Sequence, residues 1–219
     1  MMGRTCRHSH CAQPAASRYS PYCRRHKSIL RRHGHPEQSA VTKTELMPVR
    51  RRVEARIAKN ASSPLWDQLG GLWGQIVEDA RSEASKATGN RYQRSAAIEV
   101  LNISADVATR EIMVTTCAMF VLRAEHPTRF YSDAAFWLQL ARRVRALSER
   151  HSGRRYDHRT GLEKRVYREM TPKAGTILGR KLAAVFGAAG LQMAALDQRD
   201  IEKADKARQT IRTAIAELK

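Results

Sequence analysis

Six residues near the start of the chain carry donor atoms suited to metal chemistry: Cys6, His8, His10, Cys11, Cys23 and His26. The three cysteines and the last histidine read C-x4-C-x11-C-x2-H. Two short half-sites each bring two ligands, so a loop can wrap one ion with little chain. Zinc takes four sulfur or nitrogen ligands in a tetrahedron, and a site whose four places are all filled by protein is structural rather than catalytic. The spacing therefore points to a structural Zn²⁺ on Cys6, Cys11, Cys23 and a histidine. His26 fits the C-x2-H half-site. His8 and His10 lie between the first two cysteines and compete for the fourth place. The contrasting reading is a disulfide or free thiols. Three thiolates, a neutral imidazole and a dication sum to about −1, so any positive surface there must come from the arginines around the ion.

The residues that follow carry a resemblance. Tyr22-Cys23-Arg-Arg-His26 and then Leu30-Arg-Arg-His-Gly34-His-Pro36 resemble a small zinc motif of phage and bacterial proteins. That motif often stands at the front of HNH homing-type endonucleases and related DNA-binding proteins. The chain departs from it at Lys27, at Ile29-Leu30, and at His35, where the family usually has Asp. The resemblance covers residues 4–37. It implies a compact DNA-contacting module there, in a protein of phage or mobile-element type.

Charge narrows the partners. Forty Lys and Arg against 21 Asp and Glu leave +19, with a pI near 10.6. Such a surface attracts polyanions: DNA first, RNA next, anionic membrane third. Residues 1–60 hold a net +11 and the remainder +8. The candidate nucleic-acid contacts are Arg24, Arg25, Arg31 and Arg32 beside the metal, Arg50, Arg51 and Arg52, and Arg154, Arg155, Tyr156 and Arg159. In the last set cations interleave with an aromatic ring, as phosphate and base contacts require. The longest uncharged run, Leu182 to Leu196, has 15 residues, short of the roughly 20 a membrane span needs. The Arg- and His-rich opening lacks the apolar stretch of a signal peptide. Metal-bound cysteines suit a reducing compartment, so a cytoplasmic protein is expected, nucleoid-associated if it binds DNA.

Elements must then position these groups. Proline and glycine punctuate residues 1–40, the zinc module, with a turn or two of helix after Cys23. Residues 41–60 read as a basic linker helix: Val49, Val53 and Ile57 share one face and arginines cover the others. Residues 61–219 read as an all-α helical domain. Ser63-Pro64, Ser132 and Thr171-Pro172 are helix starts. Trp66 and Trp73 lie on an apolar stripe, as core residues do. The uncharged run Ile112 to Leu122 is the central buried helix. A break is expected near Asn102–Ser104. Two glycine sets, Gly70, Gly71 and Gly74, and Gly175, Gly179, Gly187 and Gly190, are expected to admit close helix neighbours. A separate last helix from Asp200 carries Ile201, Ala204, Arg208, Ile211, Ile215 and Leu218 at 3,4 spacing, a short seam. It is expected to pack on the preceding helix, with homodimerisation as the alternative. No strand is expected. The fold class is mostly α, a small zinc-binding module followed by an all-α domain.

Catalytic signatures are sparse. The sequence holds neither a phosphate-binding Gly-x4-Gly-Lys-Ser/Thr loop nor a Gly-x-Ser-x-Gly elbow. Asp157-His158 is the single trace of an HNH-type nuclease. The expectation is a zinc-containing, non-enzymatic nucleic-acid-binding protein. The alternatives are a diverged HNH-like endonuclease and a zinc-module adaptor for another protein. A ββα unit near residues 150–170 would favour the nuclease; continuous helices would favour the binder.

Overall fold

The computed structural model describes residues 4–149, 153–166 and 169–217. Among them are seven α-helices and one small sheet: α1 (Arg24–His33), α2 (Lys43–Lys59), α3 (Leu65–Ser85), α4 (Arg91–Asp106), α5 (Thr109–Glu125), α6 (Asp133–Arg145), β1 (Gly153–Asp157), β2 (Leu162–Val166) and α7 (Pro172–Glu217). The chain is mostly α, with the cysteine–histidine region at its front, as the sequence led us to expect.

The core is built around α5. Every residue from Ile112 to Leu122 is buried. A helix apolar all round needs neighbours on all sides, and α2, α6 and α7 supply them. Phe136 meets Phe120 and Phe130 edge-on at 5.0 and 5.1 Å between ring centroids. Trp73 from α3 lies 6.0 Å from Phe186 of α7. The glycines of α7 are the close contacts between helices. A Cβ on Gly179 would lie 2.8 Å from the Trp137 carbonyl carbon and 2.9 Å from its Cα; one on Gly190 would lie 2.7 Å from Phe120 Cβ. The glycines of α3 differ from expectation: nothing lies within 4 Å of a Cβ built on Gly70, Gly71 or Gly74.

Four further expectations are corrected. The stretch read as a linker is α2, a wall of the core that buries Leu46, Val49, Val53 and Ile57. Each such side chain contributes roughly 1.5–3 kcal/mol when removed from water. Its start is set by Thr42 and Glu45, which form a reciprocal capping box, a signature present in the sequence as T-x-x-E. The break expected near Asn102–Ser104 falls later, between α4 and α5. The last helix is not separate: α7 runs unbroken through Asp200 to Glu217, since no Gly or Pro follows Gly190. Finally, residues 153–166 form an antiparallel hairpin. Its turn is closed by Gly161 at φ 65°, with the Gly161 N–H donating to the Asp157 carbonyl at 2.9 Å. The strands escaped notice because polar residues fill both faces and no period-two alternation marks them.

Candidate metal centre

A short ladder makes the loop that holds the ligands. The Cys6 N–H donates to the Gln13 carbonyl (2.9 Å), the Ala15 N–H to Arg4 (2.9 Å) and the Arg7 N–H to Pro21 (2.8 Å). These bonds return the chain from Cys11 to Cys23. Cys23 is also the N-cap of α1: its sulfur accepts from the His26 N–H at 3.5 Å. One helical turn then carries His26 back over that sulfur, which is why C-x2-H is a usable half-site.

The ligand atoms of Cys6, Cys11, Cys23 and His26 all lie within 4.8 Å of one another. Cys6 Sγ is 3.3 Å from His26 Nδ1, Cys23 Sγ is 3.5 Å from the same nitrogen, and Cys11 Sγ is 4.0 Å from Cys23 Sγ. A tetrahedron with bonds of about 2.3 Å to sulfur and 2.0 Å to nitrogen has edges of roughly 3.5–3.8 Å. The four groups have the spacing of a closed metal site. No disulfide joins the cysteines.

Burial opposes charge on Cys6, yet the backbone N–H groups of Cys23 and His8 and the neighbouring His26 outweigh it and bring the thiol down to about 6. A thiolate is thus favoured before any ion arrives, which is the form a metal binds. On Cys11, a backbone contact at Gln13 lowers the value, but burial and the facing sulfurs of Cys6 and Cys23 raise it overall. Such repulsion between sulfurs is relieved by a cation among them. Cys117 lies apart in the core, its thiol pushed up by burial to about 12.

The structure decides among the histidines. Of the three, His26 is the one whose ring nitrogen joins the cysteine cluster. His8 stacks on it, ring centroids 4.0 Å apart and 7° from parallel, and its Nε2 pairs with Glu37 Oε1 at 2.9 Å. His8 thus holds the His26 ring in place from outside the cluster. His10 is exposed, at φ 62° in the loop between Cys6 and Cys11.

The Arg-Arg-His-Gly segment after the site fastens α1 to the core. Gly34 takes φ 85°, where its N–H caps α1 by donating to Leu30. A Cβ there would also lie 2.8 Å from Ala135 Cα, so both backbone angle and space require glycine. Gln139, buried on α6, accepts from the Val41 N–H through Oε1 (3.1 Å) and presents Nε2 to His33 Nδ1 (3.0 Å). His33 must then accept at Nδ1 and be neutral. Burial, with Arg142 and Arg32 nearby, holds its pKa below the usual value accordingly. His35 stacks on Tyr131 at 4.9 Å, and buried Gln38 donates to the Arg129 carbonyl while accepting from the Tyr131 N–H. Only Gly34 among these was legible as a fixed point. The glutamine contacts join residues about 100 apart, and no local pattern announces them.

The candidate cations fall into three groups. Arg24 and Arg25 are exposed on the first turn of α1 and, among the described residues, have no ion-pair partner; Arg51 is likewise exposed and unpaired. Arg31 and Arg32 both pair with Glu169 at 3.2 Å. Arg50 pairs with Glu54 and Glu111, and Arg52 with Glu125 and Asp197; these two brace α2 against α5 and α7. On the hairpin, Arg154 reaches Glu163 at 3.4 Å with both exposed, Tyr156 is 52% exposed, and Arg159 stands exposed in the turn. The Arg155 side chain lies outside the described residues; its backbone sits in β1 opposite Lys164, as Arg154 sits opposite Arg165. Glu169, just past β2, brings the foot of this hairpin to the last turn of α1.

Family models, curated proteins and solved structures were compared with the chain, and none matches. Among the described residues, no helix is long and apolar enough to cross a membrane.

Proposed function

We propose that this protein binds nucleic acid, with DNA as the first candidate, through cations of α1 and of the β1–β2 hairpin, and that its metal is a structural Zn²⁺. Three thiolates and one imidazole in a tetrahedron suit zinc, whose closed sites organise chain rather than react. The ion would hold α1 so that Arg24 and Arg25 project together, with less entropy lost on binding than from a loose basic tail. The observation that carries the reading is the hairpin: a two-stranded ribbon on which Arg154, Tyr156 and Arg159 stand exposed. Such a ribbon fits the major groove of B-DNA, where its cations would meet phosphates. The resemblance of residues 4–37 to the zinc motif of HNH-type endonucleases and related DNA-binding proteins agrees with this.

The test is fluorescence anisotropy with a labelled random 20-base-pair duplex across a salt series. Wild type should bind with a steep fall of log K against log salt. Changing Arg24 and Arg25 together to Ala should flatten the slope by roughly 1.5–2, at about 0.9 per lost phosphate contact. Cys23→Ser should lose affinity with every arginine still present. Absence of binding at 50 mM salt, or a slope unchanged in both variants, would remove the proposal. Displacement by single-stranded RNA more readily than by duplex would move the partner to RNA.

One observation favours a second reading, a diverged HNH-like nuclease: a hairpin bearing Asp157-His158 at its tip precedes a helix. The opening turns of α7, Pro172 to Lys181, contain no His, Asn or carboxylate to complete a catalytic pair. Nicking of supercoiled plasmid in Mg²⁺ or Ni²⁺ that is lost in His158→Ala would establish the nuclease instead.

A further inference from the structure

We propose that the exposed half of α7 pairs antiparallel with the same segment of a second copy of this chain. The first half of α7 buries Leu178, Leu182, Phe186, Ala189 and Met193 in the core. Past Asp197 a second stripe follows at 3,4 spacing, Ile201, Ala204, Arg208 and Ile211, and from residue 198 onward every residue whose burial is described is exposed. Ile201 is 48% exposed and Ile211 60%. The helix therefore carries this seam over about 30 Å beyond the core, tied to its own chain near the root, where Arg56 of α2 reaches Asp200 at 2.8 Å, and a lone helix of that length is only marginally stable in water. Ile215 continues the seam in sequence, and Leu218 completes it beyond the described residues.

Charge selects both the occupant and the direction. With Ile201 and Arg208 at a positions and Ala204 and Ile211 at d positions, Asp200 takes a g position, and Asp205 and Arg212 take e positions. A parallel pair would stack Arg208 on Arg208 and set Asp200 beside Asp205 of the other helix, like charge on like. An antiparallel pair that sets Ala204 level with position 215 of the second helix places Asp205 beside Arg212. The twofold axis repeats that contact. Arg208 then lies level with Ile211, where its stem covers apolar surface and its head reaches water. Within one chain Asp205 has only an exposed contact with Arg208, at 3.4 Å. The root of the seam offers room as well: an open groove of about 470 Å³ between α2 and α7, with Ala55, Ile201 and Ala204 among its lining residues. This inference is independent of the nucleic-acid reading.

Sedimentation equilibrium of the zinc-loaded full chain tests it, without nucleic acid. Wild type should be dimeric at tens of micromolar. Ile211→Asp, at a site exposed in the single chain, should give monomers with unchanged helical signal. Asp205→Arg alone should weaken association at least tenfold, and Asp205→Arg with Arg212→Asp should restore it. A monomeric wild type overturns the proposal, as does a dimer indifferent to Ile211→Asp. A dimer lost in Ile211→Asp but indifferent to Asp205→Arg overturns the antiparallel register. Association only with a different protein would assign the seam to another partner.

Discussion

Among residues 4–35 only Cys6, Ser20 and Cys23 are buried, and α1 buries none of its ten residues. Around α5, eleven consecutive residues are buried. The first region holds its shape through backbone bonds, ring stacking and four donor atoms around one point. The second holds it by excluding water. One region should therefore fail when a ligand or an ion is removed, and the other when a charge or a clash is inserted. Between them lie Gln139, His33 and Gly34, through which damage to one could reach the other.

Ranked by their effect on the melting of the helical core, the tests start inside it. Met119→Asp buries a charge at a site with no exposure and should cost several kcal/mol, a large part of the 5–15 kcal/mol that holds a typical domain together. Circular dichroism should show cooperative helix melting lost or moved far down. A wild-type melt would mean that α5 is not the centre. Gly179→Ala drives a Cβ into the Trp137 backbone and should cost about 3 kcal/mol; denaturant titration reads it directly.

The next test concerns the strap between α2 and the segment before α6. Glu45 accepts from Arg129 at 2.6 and 3.0 Å while closing the α2 cap. The hydrogen bond from Arg129 lowers its pKa, against burial, helped by Thr42. A depressed folded value means that the stabilisation is present above the unfolded value, about 4.3, and is lost as pH falls through the folded one. Glu45→Gln should cost about 1–2 kcal/mol at neutral pH. The gap to wild type should close below about pH 4; a constant gap would mean that the carboxylate charge plays no part.

Metal removal should touch the core little. A strong chelator should expose the thiols of Cys6, Cys11 and Cys23 to a thiol reagent and leave most of the helical signal in place. Cys117 should react only when the core unfolds, because burial keeps its thiol protonated. Simultaneous loss of helix and release of four thiols would show that the two regions stand or fall together. The smallest effect should be a gain. Gly71→Ala meets nothing within 4 Å and should stabilise α3 by up to about 1 kcal/mol, opposite in sign to Gly179→Ala.

That pair of glycines marks the limit of what the sequence alone determines. The clustering of Cys6, Cys11 and Cys23 was legible because metal geometry is local and demands particular atoms at particular spacings. The helical class, the caps at Ser132 and Thr171, and the buried run in α5 were legible because periodicity and capping are properties of a few adjacent residues. Tertiary structure decided which histidine joins the three cysteines, since spacing favoured His26 but left His8 and His10 in competition until the fold stacked His8 outside the cluster. It decided which glycines are contacts, because that depends on whether Trp137 or only open space lies opposite. It turned the arginines of α2 into braces by bringing Glu111, Glu125 and Asp197 to them from far along the chain. The hairpin, without an apolar face, had no pattern to betray it: its strands are defined by pairing with each other, and pairing is a relation between residues, not a property of either one.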